Sequence, residues 1–279
     1  MPIVIKKRTL KILKQVFIVV AVIGISVFAV RALDEKAGKR MAEDGNNGCG
    51  EDMVFVGNSQ GGFCVDKYEA SAGPDCPYKD PGNSQATRTN LDDAQCKPVS
   101  EPGAKPWRYI SRDQAREACA KAGKRLPTGE EWYQAVLGTP DKESGWLGQD
   151  CQVDRNWNEQ PGPTGSAENC RSGAGAYDMV GNVWEWVKGD VEEGVLEGKD
   201  LPPAGYVQAV TDSGLPHKTN PTEVNPDYNN DYLWLKDSGR RGMARGGYWD
   251  NAADAGKYAL YMVPPPTFSG PGIGFRCIK

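Results

Sequence analysis

The stretch Tyr177–Val187, YDMVGNVWEWV, packs large apolar residues around a Gly181-Asn182 pair. Gly and Asn tolerate the left-handed backbone that a tight reversal needs. Trp184 and Trp186 follow at once. With Trp132 and Trp249 they are expected in the core, supplying buried area that a fold with few regular elements otherwise lacks. Upstream, Ser111 followed by Gln114 forms a capping box. Ala115, Ala118, Cys119 and Ala122 then make one small apolar face, ended by Gly123. A second box, Thr128 with Glu131, opens a helix over about 129–137. Met53–Val56 and Phe63–Lys67 read as short strands around Gly61-Gly62. Residues 72–106, 138–176 and 189–242 read as loops. Arg245–Lys279 alternates aromatic and small residues and ends on the compact run Ile273–Ile278.

The composition agrees with a loop-rich domain. Gly (34) and Pro (20) together make about a fifth of the 279 residues, well above the usual share. The one histidine, His217, lies between prolines and is expected exposed in a loop. A single imidazole excludes sites that need two or more, so neither zinc nor iron chemistry of that kind is expected. The net charge of -4 argues against a nucleic-acid partner.

The N-terminus differs from the rest. Lys6, Lys7, Arg8, Lys11 and Lys14 precede Val16–Val30, 15 residues without a charge or an amide. With its apolar flanks this run reaches the length of a membrane helix, and a signal peptide is the rival reading. In both, the basic flank stays in the cytoplasm and the remainder is exported. The expected organisation is a tail and anchor over 1–33, a polar linker over 34–50 and one domain over 51–279. All eight cysteines follow the apolar run and none forms CxxC. An exported chain with eight cysteines implies up to four disulfides, and spacing alone leaves 105 pairings open.

Four segments resemble, in order, those of the formylglycine-generating enzymes, the sulfatase-modifying-factor family: FCVDKYEAS (63–71), AGKRLPTGEEW (122–132), YDMVGNVWEW (177–186) and RGGYW with GFRC (245–249, 274–277). The resemblance implies an α+β, loop-rich C-type lectin-like fold with two main helices, short twisted antiparallel strands and disulfide staples. Enzymes of that family oxidise a sulfatase cysteine with two cysteines shortly after RGGxW. Those positions fall near Asn251 and Gly256, and no cysteine lies between Cys170 and Cys277. The thiolates that bind copper are therefore missing. A sister branch uses iron held by three histidines, which one histidine cannot supply.

What the resemblance leaves is a binding module, with an enzyme or enzyme-accessory role as the alternative. The last 35 residues resemble the variable proteins of diversity-generating retroelements. Their variable positions would be Tyr248, Asp250, Asn251, Ala253, Asp254, Tyr258, Tyr261, Val263 and Phe268, with Gly270 and Gly272. Tyr, Asp and Asn suit an adaptable binding face for a protein or other surface ligand. The resemblance also implies a structural Ca²⁺ held by the carboxylates of Asp178 and Glu185 and the carbonyls of Gly181 and Val183, hard oxygen donors that suit the ion. Cys119 corresponds to the helix cysteine that the family bonds to the GFRC cysteine, Cys277. Cys151–Cys170, bracketing one loop, is expected next, then Cys76–Cys96, with Cys49–Cys64 remaining.

Overall fold

The computed structural model describes residues 48–59 and 61–279. The expected anchor and most of the linker lie outside them. Among the described residues no helix is long and apolar enough to cross a membrane.

Among the described residues three α-helices are present: α1 (Ser84–Asp92), α2 (Arg112–Lys121) and α3 (Gly129–Val136). Both expected capping boxes form, Ser111 with Gln114 and Thr128 with Glu131. Helix α1 corrects the loop expected over 72–106. Polar residues help to bury it. Thr87 accepts the Trp107 indole N–H at 3.1 Å, and Asn90 exchanges two 2.8 Å bonds with the Tyr78 backbone. Such burial leaves no apolar stripe in the sequence.

Strands β1 (Met53–Val56) and β2 (Phe63–Asp66) pair antiparallel, and β3 (Ser71–Ala72) pairs with β4 (Pro98–Val99). The main sheet holds β5 (Trp184–Glu192), β6 (Val195–Leu196), β7 (Lys199–Asp200), β8 (Gly205–Val210), β9 (Pro216–Asn220), β10 (Tyr232–Leu235), β11 (Arg240–Arg245), β12 (Leu260–Met262) and β13 (Ile273–Phe275). Its order is β7-β6-β5-β11-β12-β10-β8-β9, with β13 also against β5. The stretch 189–242, expected as loops, thus supplies most of the strands. β10–β12 and β13–β5 are parallel, so the sheet is mixed rather than antiparallel. His217 is exposed, but on β9 rather than in a loop.

Alternation divides the core between the two sheet faces. Val187, Leu233, Met243, Leu260 and Met262 join Trp132 and Ala135 of α3 in one apolar cluster. Trp184, Trp186, Ala244, Ile273 and Phe275 join Ala115, Ala118 and Cys119 of α2 in another. Four disulfides staple the loops: Cys49–Cys64, Cys76–Cys96, Cys119–Cys277 and Cys151–Cys170, the four expected pairs.

Candidate ligand-binding face

The Arg245-Gly246-Gly247 run sets the start of the C-terminal face. The Arg245 guanidinium is buried, lies over the Trp132 ring at 5.5 Å and donates to the Gly214 carbonyl at 3.0 Å. Gly247 has φ +88°, and a Cβ there would come within 2.3 Å of the Ala255 Cβ. Only glycine lets the chain turn this close to the 251–255 turn. Past it, the Tyr248 N–H donates to Asn251 Oδ1 at 2.9 Å, which fixes the Asn251 side chain.

On the α2 side of the sheet, Trp184, Trp234 and Tyr261 share one face. Ala244 is cross-strand from both Trp186 and Tyr261 and occupies no ring-sized volume. Trp184 stacks on Tyr261 with 5.4 Å between centroids and meets Trp234 edge-on at 5.4 Å. Tyr232 and Tyr206 extend the row, at 4.9 Å from Trp234 and 5.0 Å from each other's ring, respectively. Helix α2 covers the Trp186 end of this face, where the indole N–H donates to the Ile110 carbonyl at 2.9 Å. The other end stays open as a cavity of about 520 Å³, lined by Trp184, Trp234, Tyr248, Asn251, Tyr261, Val263, Phe268 and residues 270–273. No charged side chain lines it. Burial, then the neighbouring Asp250, pushes the Tyr248 phenol up; burial, then Tyr248, does the same to Tyr261. Both hydroxyls are therefore neutral donors and acceptors.

Of the eleven expected face positions, seven meet there: Tyr248, Asn251, Tyr261, Val263, Phe268, Gly270 and Gly272. The other four do not. Asp250 is tied to Arg155. Ala253 and Asp254 lie in a short 3₁₀ turn, Ala252–Asp254, outside the cavity lining. Tyr258 packs between Tyr133 and Tyr228, at 5.9 and 5.2 Å, and its N–H donates to Asp231 Oδ2 at 2.6 Å. Two aromatic residues join the face unexpectedly. Trp234 was hidden in the supposed loop insertion, although the alternation in Tyr232–Leu235 marks a strand. Trp184, expected as core alone, is buried yet forms the floor. Trp249 is half-buried against Tyr248 rather than fully in the core.

No thiol is near this face, because all eight cysteines are in disulfides. The expected calcium ligands lie on the other side of β5. Gly181 and Asn182 form the anticipated turn, both with positive φ. Glu185 accepts from Arg276 at 2.8 and 2.5 Å and from the Trp132 indole at 2.6 Å. Asp178 accepts from the Gly165 N–H at 2.5 Å, and Glu69 accepts from Asn182 Nδ2 and the Val183 N–H. Three buried carboxylates thus face one guanidinium. Burial, opposed by Gly165 and Arg276, pushes Asp178 up to about 7, and burial plus Asp178 and Glu185 pushes Glu69 well up. The Asn182 Oδ1 is buried without a partner. Surplus negative charge and an orphaned oxygen fit a hard divalent cation held by Asp178, Glu185 and the turn carbonyls. Glu185 would then serve both that ion and Arg276. Among the described residues no group of three or more His, Cys, Asp or Glu side chains could hold a metal by itself.

Comparison with known proteins accords with this architecture. Residues 59–279 match the sulfatase-modifying factor enzyme 1-like domain, and the chain belongs to that family. It is 29% identical over 131 residues to the inactive C-alpha-formylglycine-generating enzyme 2 of Bos taurus, covering 42% of this chain and 43% of that protein. It is 33% identical over 109 residues to the hercynine oxygenase of Mycobacterium tuberculosis, covering 36% and 24%. The chain thus spans less than half the length of these relatives. Among solved structures, the Major Tropism Determinant I1 variant superposes with a TM-score of 0.43 at 16% identity, covering 82% of this chain and 52% of that one.

Proposed function

We propose that the domain is a non-catalytic binding module, exported and anchored by the N-terminal apolar run, which takes its ligand in the aromatic cleft. One observation carries this: Trp184, Trp234, Tyr248, Tyr261 and Phe268 converge on an open, uncharged cavity, and the protein has no free thiol to serve the family's chemistry. Aromatic rings with one fixed amide provide large contact area at little entropic cost. The name of the inactive bovine relative is in keeping with a family member that performs no oxidation. A calcium ion at Asp178 and Glu185 serves stability in this proposal.

The placement of seven expected variable positions on the cleft also supports a face diversified by a retroelement, now or in the past. A near-copy of the 3′ coding sequence that differs at adenines, beside a reverse transcriptase gene, is the expected genomic context. Its absence makes the face a fixed one. The binding reading is tested with a sulfatase-motif peptide and a thiol reductant, under air and with copper. No aldehyde should form. Turnover would instead make the protein an enzyme of the formylglycine-generating type. Resistance of the full chain to carbonate extraction from membranes tests the anchor, and release into the supernatant would remove it.

A further inference from the structure

A second cavity lies four to six residues further along β5, roughly 13–20 Å from Trp184 at about 3.3 Å per residue. It encloses about 380 Å³ between Arg112 and Arg116 of α2, Arg125 and Leu126 of the α2–α3 connection, and Lys188, Gly189 and Asp190 of β5. Charge there is out of balance. Arg112, Arg116, Arg125, Lys188 and the adjoining Arg240 face four carboxylates, Asp113, Glu131, Asp190 and, across the strand pair from Arg240, Glu192. The chain as a whole has a net charge of -4.

The floor is fixed. Arg112 is buried and donates to the Gly189 carbonyl at 2.5 Å, to Asp113 at 3.1 Å and to Asp190. Asp190 also accepts from Arg240 at 2.6 Å. Arg125 is held by Glu131 through paired bonds of 2.6 and 2.8 Å. Two cations remain uncommitted. Lys188 is exposed and has no acidic partner among the described residues. The Arg116 side chain is 71% exposed and comes no nearer than 4.0 Å to Asp113.

The geometry points to a phosphate-type oxyanion site, in which Lys188 and Arg116 take the anion over the rigid ion-paired floor set by Arg112. An ammonium offers three rotatable donors and a guanidinium a planar fork, and both match a tetrahedral oxyanion. Leu126 and the arginine stems give the cavity an apolar wall for whatever carries the anion. That carrier is a free phosphate compound or a phospholipid headgroup.

The test uses the full chain in non-ionic detergent. Inorganic phosphate is expected to raise the melting temperature, with an affinity that falls as salt increases. The double substitution Arg116→Ala/Lys188→Ala should weaken that affinity about tenfold or more. Lys218→Ala, an exposed lysine on β9, should leave it unchanged. Micelles carrying phosphatidylglycerol, set against phosphatidylcholine, identify the source. Weaker micelle binding by the double variant assigns a headgroup, and weakening confined to inorganic phosphate assigns a free anion. The basic N-terminus is common to every variant and cancels. Undiminished phosphate binding by the double variant, or no binding of either probe by the parent, overturns the site.

Discussion

The bond between Cys119 in α2 and Cys277 beside β13 closes 158 residues of sequence, whereas Cys151–Cys170 closes 19. In the chain-entropy model a cross-link removes freedom from the unfolded state as the logarithm of loop length. That gives about 5 kcal/mol for the long loop and about 3 kcal/mol for the short one. The pairs make a controlled comparison, because Cys119, Cys151 and Cys170 are fully buried and Cys277 is 1% exposed. Replacing each pair by alanine therefore removes nearly the same apolar surface. What differs is the loop. Cys119→Ala/Cys277→Ala should lose about 2 kcal/mol more than Cys151→Ala/Cys170→Ala. For a domain of this size that is a further drop of about 4–8 °C in melting temperature. Urea titrations followed by circular dichroism and tryptophan fluorescence measure both losses, and coincidence of the two probes checks two-state behaviour. Equal losses, or a larger loss for the short loop, would refute the loop-entropy argument. They would locate the staples' effect in native-state strain or residual structure instead.

Three further outcomes follow from the site and its surroundings. Once a ligand is in hand, Trp234→Ala should weaken binding about thirtyfold or more, because the ring is central in an aromatic cleft; calorimetry showing an unchanged Kd would remove β10 from the face. Burial, opposed by Lys257 and Asn229, pushes Asp141 up to about 6 from 3.8, and burial together with Asp141 holds Asp231 well up. The folded state thus binds more protons than the unfolded one. This contribution to stability is complete below pH 3.8 and is lost as pH rises through about 6. The urea midpoint should fall from pH 5 to 7.5, and Asp141→Asn should flatten that slope; a midpoint that climbs over this range would contradict the assignment. Removing calcium with a chelator should lower the melting temperature, and adding it back at a hundred times its Kd should restore about 2.7 kcal/mol. Unchanged melting would leave Arg276 as the sole counter-ion of the buried carboxylates.

Legibility in the sequence tracked how locally each feature is encoded. The capping boxes at Ser111 and Thr128 were readable because two residues three positions apart define each cap. The Gly181-Asn182 turn was readable for a similar reason. A Cβ on Gly181 would come within 2.3 Å of the Gln152 carbonyl, so the residue type is dictated at one position. Helix α1 was not readable, because Thr87 and Asn90 are buried through hydrogen bonds to partners up to 21 residues away. The face residues fell between these cases. Tyr261 was expected there from the resemblance of the last 35 residues to variable proteins, but a position in that pattern says nothing about what an outward side chain meets. Tyr258 and Tyr261 are the same residue type three positions apart. One is enclosed by Tyr133 and Tyr228, and the other opens on the cleft, because different elements approach them.

Trp184 links the cleft to the buried ion pair beneath the sheet. Its strand neighbour Glu185 points to the opposite side of the sheet, where Arg276 and the Trp132 indole hold it. Its own ring is thereby set as the cleft floor. Strand β13 pairs with β5 at this point, Ile273 beside Trp184 and Phe275 beside Trp186, and the Cys119–Cys277 bond secures β13 to α2. The floor is thus fixed by a buried ion pair, a parallel strand and a disulfide, and none of these involves the residues around the rim. Tyr248, Asn251, Val263 and Phe268 can change identity without disturbing those restraints. That independence is the physical requirement for a binding face with many sequences on one scaffold. It makes a specific demand on mutants: rim substitutions such as Phe268→Ala, at a side chain already 40% exposed, should shift stability by no more than about 0.5 kcal/mol. Arg276→Met, which leaves Glu185 buried without its partner, should cost about 3–5 kcal/mol. A rim substitution as damaging as Arg276→Met would show that floor and rim are one cooperative unit, and the scaffold could not then tolerate a variable face.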